Sequence, residues 1–153
     1  RAGRQGVLDR LCEVLMIRLL RHCMALGLTR GGTLAGLADA RLGPVLSALH
    51  DQPQHPWDLP SMAQLAGMSR ARFAVRFRRV TGDTPADYLT AWRVLTAQRL
   101  LAAGASVKQA AEAVGYGSAS ALSRAFVRRL GLAPRQWIRQ QTGVASTEKV
   151  PFA

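Results

Sequence analysis

Hydrophobic residues recur along this chain at three- and four-residue intervals, the spacing of one face of an α-helix. In residues 7–26 this spacing links Leu8, Leu11, Leu15 and Leu19, so the sequence predicts a long amphipathic helix near the start of the chain. The alternation of apolar and polar residues that is typical of a strand is not found in the sequence. The pattern therefore predicts an all-α fold.

Polar capping residues, prolines and glycines divide the rest of the chain into shorter helices. The glycine-rich stretch 27–39 is predicted to be a loop, and Asp39 is predicted to cap a helix over 40–50. The longest of the following helices covers 85–103, and the last covers 134–140. The other predicted N-caps are Asp58, Ser69, Thr84, Ser106 and Ser118.

This pattern divides the chain into three parts. Residues 1–38 are an N-terminal helix and linker, residues 39–141 are a helical domain, and residues 142–153 lack periodicity and are predicted to be a disordered tail. Because the chain begins with Arg1 and enters a helical pattern at once, we expect it to be a fragment of a longer protein.

The helical domain contains an internal repeat. Residues 62–68 (MAQLAGM) match residues 110–116 (AAEAVGY), and after one inserted residue, Gly117, residues 69–89 match residues 118–138. The matched pairs include Ala63 with Ala111, Gly67 with Gly115, Phe73 with Leu122, Phe77 with Phe126, and Tyr88 with Trp137. Each copy predicts a short helix, a tight turn with glycine and a second helix, which is the helix-turn-helix pattern.

The second helix of each copy has an apolar face that packs inward and a polar face that is left free. The free-face residues of the first copy are Arg70, Ala71, Arg72, Ala74, Val75 and Arg78. Those of the second copy are Ser118, Ala119, Ser120, Ser123, Arg124 and Arg128. Arginine can bind guanine bidentately, serine can bond several base edges and alanine allows close approach, so we predict that these residues contact DNA. Arginines at the edges of each face suit phosphates.

Charge supports the same prediction. The chain has 21 Lys+Arg against 9 Asp+Glu, a net charge of +12, and residues 58–141 hold 13 of the cations and 4 of the acids. Such an excess attracts polyanions, with nucleic acid first and an anionic membrane surface second. We expect no membrane partner, because the arginines coincide with the helix-turn-helix units and no apolar run is long enough to span a bilayer.

The sequence contains few features that indicate another function. His22, His50 and His55 have no partner pattern for catalysis or metal binding, so we expect neither an enzyme nor a cofactor. Cys12 and Cys23 would lie roughly 16 Å apart on one helix, too far for a disulfide, as expected for reduced thiols in the cytoplasm. The alternative is a protein-interaction or dimerisation module with the 7–26 helix as its interface.

The stretch AAEAVGYGSASALSRAFVRRLGLAPRQW resembles the signature of the AraC/XylS family of bacterial transcription regulators, and the similarity covers about residues 41–140. It implies two helix-turn-helix units joined by a long linking helix, binding to double-stranded DNA, and activation of transcription, with RNA polymerase as a candidate partner. Residues 1–38 are similar to the helices that follow a cupin-like sensor barrel in some members. The 7–26 helix itself is apolar enough to form a homodimer.

The resemblance assigns base-facing positions to Ala71, Ala74 and Val75 in the first copy and to Ala119, Ser120, Ser123 and Arg124 in the second. Many members have a long polar residue where this chain has Val75. We therefore expect the first copy to recognise DNA by apolar contact and shape, or with help from Arg72 or Arg76. We expect Trp92, Leu95, Leu100 and Leu101 to pack the linking helix against both copies.

Overall fold

The computed structural model describes residues 32–145, together with positions 12, 14, 15 and 18. In residues 32–145 all regular structure is helical, as predicted. The eight helices are α1 (Thr33–Ala38), α2 (Gly43–Asp51), α3 (Leu59–Leu65), α4 (Arg70–Thr81), α5 (Pro85–Ala102), α6 (Val107–Ala113), α7 (Ala119–Leu130) and α8 (Pro134–Ala145). None of them is long and apolar enough to cross a membrane.

Most of the predicted 7–26 helix lies outside the described residues. Its four described positions are helical, and Cys12, Val14, Leu15 and Arg18 are all solvent-exposed. The proposed dimer interface on this helix and the tail beyond Ala145 likewise lie outside the described part of the chain.

The helices form two hydrophobic cores, one for each helix-turn-helix copy. The first core is closed by Leu46, Phe73 and Phe77, all fully buried. The second is closed by Leu122 and Phe126, which are also fully buried. We call α1–α4 with the start of α5 the first unit, and the end of α5 with α6–α8 the second unit.

Helix α5 connects the two units by contributing to both cores. Tyr88 and Leu89, in its first half, belong to the first core, whereas Val94 and Leu101 belong to the second. Its 18 residues give a length of about 27 Å. The prediction that Leu95 packs against the units is wrong, because its side chain is 40% exposed.

The predicted N-caps are confirmed at five helices. Asp58 and Ser106 each form a capping box with the residue three positions later, and Ser69, Thr84 and Ser118 each accept a hydrogen bond from a backbone N–H of the first turn. Each cap satisfies an N–H group that the helix itself leaves without a partner, at a gain of about 1 kcal/mol.

Three boundary predictions were wrong. Residues 33–38 form α1 and not a loop, because the small Gly36 is buried against Leu46 of α2. Asp39 does not cap α2 directly; it caps the turn before it, accepting hydrogen bonds from the N–H groups of Arg41 and Leu42, and the helix begins at Gly43. The last helix continues four residues beyond Gln141.

Candidate nucleic-acid interface

The two helix-turn-helix copies have the same local geometry. In each, the first helix has seven residues and the second has twelve. The turn between them is closed by a backbone hydrogen bond, from Met68 N to Ala63 O at 2.9 Å in the first copy and from Tyr116 N to Ala111 O at 2.8 Å in the second. The sequence repeat therefore corresponds to a structural repeat.

The backbone favours glycine in both turns. Gly67 has φ +61° and Gly115 has φ +84°, a left-handed conformation that side chains disfavour. Ala63 and Ala111, which precede these glycines by four residues, are buried where the two helices of each copy cross. Small residues at the crossing and glycine in the turn allow the second helix to project its outer face.

The outer face of α4 is open to solvent, as predicted. Arg70, Ala71, Arg72 and Arg78 are exposed, and Val75 is 70% exposed, although it is apolar. A shallow groove of about 400 Å³ follows this face and is lined by Met68, Ala71, Arg72, Val75, Arg76 and Arg79. The groove has an apolar floor and cationic edges, which suits a polyanion with apolar groups such as thymine methyls.

Arg76 is less free than its neighbours on α4. Its guanidinium donates to Asp39, with Nη2 2.7 Å from Oδ2 and Nε 3.2 Å from the same oxygen. Burial alone would raise the pKa of Asp39, but the hydrogen bonds and charge of Arg76, together with the N–H groups of Arg41 and Leu42, hold this pKa below its ordinary value. The carboxylate therefore stays ionised and holds Arg76 against the segment before α2.

The side chain of Ala74 is less exposed to solvent than we expect for a residue that contacts bases. It is half-buried and lines a separate, largely apolar pocket of about 410 Å³ with Leu59, Pro85 and Leu89 among others. The repeat-equivalent residue in the second copy, Ser123, is also half-buried. Both positions therefore lie at the edge of the exposed face and not at its centre.

At the positions predicted to face bases, the outer face of α7 is the more polar of the two. Ser120, Arg124 and Arg128 are exposed, at successive four-residue steps along one side of the helix, and Ala119 is half-buried. In the alignment of the two copies, Ser120 is equivalent to Ala71 and Arg124 is equivalent to Val75. The second copy thus carries hydrogen-bond donors where the first carries methyl groups.

Two of the predicted serines also have structural roles. Ser118 Oγ accepts a hydrogen bond from Ala121 N at 3.2 Å, and Ser123 Oγ donates to Ala119 O at 2.8 Å. The Ser118 hydroxyl can still donate its own hydrogen outward, whereas Ser123 retains only acceptor capacity. Among the hydroxyls predicted to contact bases, that of the exposed Ser120 therefore has the greatest capacity to form a new hydrogen bond.

Sequence reasoning missed Arg135. It lines a cleft of about 390 Å³ beside α7 together with Val107, Ala119, Ser120, Ser123, Arg124, Ala133 and Pro134. Arg135 follows the proline that begins α8, so the N-terminal N–H groups of that helix and the guanidinium favour the same anion. The signal in the sequence that could have identified Arg135 is its position directly after Pro134, the first residue of α8.

A family model described as a helix-turn-helix domain matches residues 62–140, just over half of the chain. These residues span α3 to α8 almost completely, and thus both copies of the repeat. This chain belongs to the AraC family of transcription regulators. The resemblance seen in the sequence is thereby confirmed.

Relatives of this AraC-family chain are found in several bacteria. A putative AraC-like transcription regulator of Streptomyces antibioticus is 43% identical over 128 residues, which are 80% of this chain and 42% of that protein. The RCS-specific HTH-type transcriptional activator RclR of Escherichia coli K12 is 36% identical over 142 residues, 90% of this chain and 50% of RclR. The chain therefore spans half or less of the length of these relatives.

A solved structure has a closely similar fold. The DNA-binding domain of AdpA, a global transcriptional factor crystallised with a target DNA, matches this AraC-family chain with a TM-score of 0.65 and 34% identity, over 69% of this chain and 96% of that domain. The predicted fold class, two helix-turn-helix units and a linking helix, is confirmed by this match and by the family model.

Proposed function

We propose that this chain is a sequence-specific, double-stranded DNA-binding transcription regulator that inserts α4 and α7 into adjacent major grooves. The observation that carries the proposal is the repeated helix-turn-helix geometry, in which both second helices present exposed arginines beside small side chains. Successive major grooves on one side of DNA are about 34–36 Å apart, and α5 has a length, about 27 Å, that suits two helices spaced by one turn. Modest bending of the DNA would make up the difference.

The side chains divide into two roles. Arg70, Arg72 and Arg78 on α4 and Arg128 on α7, which lie exposed at the edges of their faces, would bind phosphates and fix the register. Bases would be contacted by the remaining predicted residues of the two faces, with Ala74 and Ser123 contributing from the edge. These residues are Ala71, Ala74, Val75, Ser118, Ala119, Ser120, Ser123 and Arg124. Within this set the second unit supplies the hydrogen-bonding groups.

A binding-site selection from random duplexes tests this division. We expect Ser120→Ala with Arg124→Ala to relax sequence preference in one half-site, by about 1–3 kcal/mol of discrimination for each lost contact. Ala74→Ser with Val75→Ser should change the preference less, because the α4 face offers few hydrogen bonds to lose. Equal effects of the two double variants would contradict the assignment, and failure of the unaltered chain to enrich any sequence would contradict the function.

The proposal also extends to the activity of the whole protein. The family resemblance and the name of RclR support activation of transcription, with RNA polymerase as a partner, in the cytoplasm of a bacterium. A transcription assay on a promoter that carries the selected site would show increased transcript for an activator and decreased transcript for a repressor. Dimerisation through residues 7–26 would be checked by sedimentation of the full chain.

A further inference from the structure

An arginine of the linking helix binds the connector between α2 and α3. Arg93, in the middle of α5, donates from Nε to Pro53 O at 2.8 Å and from Nη2 to His55 O at 2.9 Å. Both acceptors are backbone carbonyls of the segment that leads from α2 to α3 in the first unit. The planar guanidinium thus binds two points of the connector in a fixed geometry.

The same connector also contacts the turn of the second unit. A Cβ placed on Gly115 would lie 2.8 Å from both Cα and O of Gln54, so the two backbones are in direct contact. Beside them, Arg93 Cζ lies 5.6 Å from the centroid of the Tyr116 ring, a cation–π arrangement. We call this set of residues, Pro53, Gln54, His55, Arg93, Gly115 and Tyr116, the inter-unit contact.

The inter-unit contact lies at the junction of the two cores. Along α5 the first core ends at Leu89 and the second begins at Val94, so Arg93 belongs to the few residues between them. A single helix resists bending but leaves the two units free to rotate relative to each other by small adjustments of packing. A second connection, displaced from the helix axis, removes that freedom.

We propose that Arg93 is a positioning residue, which through the inter-unit contact fixes the orientation of α4 relative to α7 and thereby the spacing of half-sites that the chain accepts. The effect on DNA rests on the proposed function, whereas the effect on orientation does not. One added base pair rotates a half-site by about 35° around the DNA axis, so a fixed pair of helices tolerates such a change poorly.

Paired variants separate this contact from general destabilisation. Arg93→Ala removes the donors to the connector, whereas Arg99→Ala removes an exposed arginine of the same helix that lies over Trp92, also on α5. Gly115→Ala and Gly67→Ala introduce the same side chain at equivalent turn positions with positive φ. Only the first of these collides with the backbone of the other unit, since the nearest atom at Gly67 is the flexible Arg41 Nη1.

Orientation is measured without DNA by electron–electron distance spectroscopy on the full chain. Spin labels are attached at Gln64→Cys and Glu112→Cys, two exposed and repeat-equivalent positions, with Cys12 and Cys23 replaced by serine. We expect a narrow distance distribution in the parent, Arg99→Ala and Gly67→Ala proteins, and a broader or displaced one in Arg93→Ala and Gly115→Ala. A distribution for Arg93→Ala that superimposes on the parent, or equal broadening in the controls, would overturn the proposal.

Spacing preference is measured on duplexes that carry the two selected half-sites at their natural separation or with one base pair added or removed. The parent and Arg99→Ala should lose roughly tenfold in affinity when the spacing changes, and Arg93→Ala no more than about threefold. If Arg93→Ala broadens the distances and the parent shows no spacing preference, the positioning role stands and adjacent-groove binding fails. If Arg93→Ala keeps the parental preference, the positioning role fails.

Discussion

A single acidic residue reduces the number of unpaired arginines on α4, one of the two helices proposed to bind DNA. Asp39 holds Arg76 at 2.7 Å, and Arg76 lines the groove on the outer face of that helix. An arginine whose charge is already balanced contributes little to the attraction of phosphates. If α4 binds DNA as proposed, the ionised Asp39 therefore weakens the helix whose base-facing positions are already poorer in hydrogen-bond donors.

Replacing Asp39 by asparagine should strengthen DNA binding. The variant keeps an acceptor oxygen for the N–H groups of Arg41 and Leu42 but loses the charge that holds Arg76. We expect affinity to rise on the order of fivefold, about 1 kcal/mol, and the slope of log affinity against log salt to steepen by about 0.9. Fluorescence anisotropy titrations at several salt concentrations measure both quantities.

Glu112→Gln is the control for that prediction. It removes one negative charge from an exposed position on α6 and so reproduces the change in net charge without releasing an arginine. An equal gain in both variants would show that only net charge matters.

The sequence predicted which side chains form the exposed faces, but not which of them are already engaged. The step of three and four residues separates Phe73 and Phe77 from Val75 on α4, because local geometry alone decides which side of a helix they occupy. The ion pair of Arg76 joins residues 37 positions apart, so no local pattern could indicate it. Arg72 remains exposed and is the better candidate to compensate for Val75.

Helices α2 and α5 are joined by a group of aromatic side chains. His50 Nε2 lies 2.7 Å from Tyr88 Oη, and the His50 ring stacks on Trp92 at 3.9 Å between centroids. Burial lowers the pKa of His50, and the negative charge of Asp51 offsets this only in part. The imidazole is therefore held neutral in the folded protein more strongly than in the unfolded chain.

Folding stability should therefore fall as pH decreases through the ordinary histidine range. Below a pH of about 6.5 the unfolded chain binds a proton at His50 that the folded chain resists, so stability is lost until the folded pKa is reached. Thermal melts between pH 8 and pH 5 should show a decline in Tm that is smaller in His50→Gln. Tyr88→Phe keeps the imidazole and should keep the decline. A His50→Gln profile parallel to the parent would show that another group causes the dependence.

At the level of elements, helices with a polar cap and an apolar stripe were predictable, whereas those defined by tertiary packing were not. The caps at Ser69 and Ser118 begin their helices at the predicted residues, since the capping bond forms within four residues. The helix α1 was missed because glycines before it and within it indicate a loop. It forms where Gly36 lets it approach α2 and where Gly32 N donates to Val80 O of α4.

In the part of the molecule that the structure describes, two separate cores share one helix, and each core supports one exposed arginine-bearing face. Both units carry cations, but the excess lies mainly in the second unit: residues 32–89 hold 6 Lys+Arg against 5 Asp+Glu, whereas residues 90–145 hold 8 against 1. The sequence showed the repeat and the charge, but not the inter-unit contact, because Gln54 and Gly115 lie far apart in the chain and Gln54 belongs to no motif. How the units are oriented is a property of the assembled fold.

Binding to DNA should depend steeply on salt if both faces meet the duplex together. With about six arginines on phosphates, log affinity should fall with log salt at a slope of about −5 between 50 and 200 mM. Arg79, at the edge of the α4 groove, is exposed and repeat-equivalent to Arg128, so we expect it to bind a phosphate as well. Arg79→Gln and Arg128→Gln should each reduce the slope by about 0.9. Their effects should add, because the two residues belong to different units. A slope near zero would contradict the phosphate contacts, and a change confined to one variant would show that one unit alone engages the DNA.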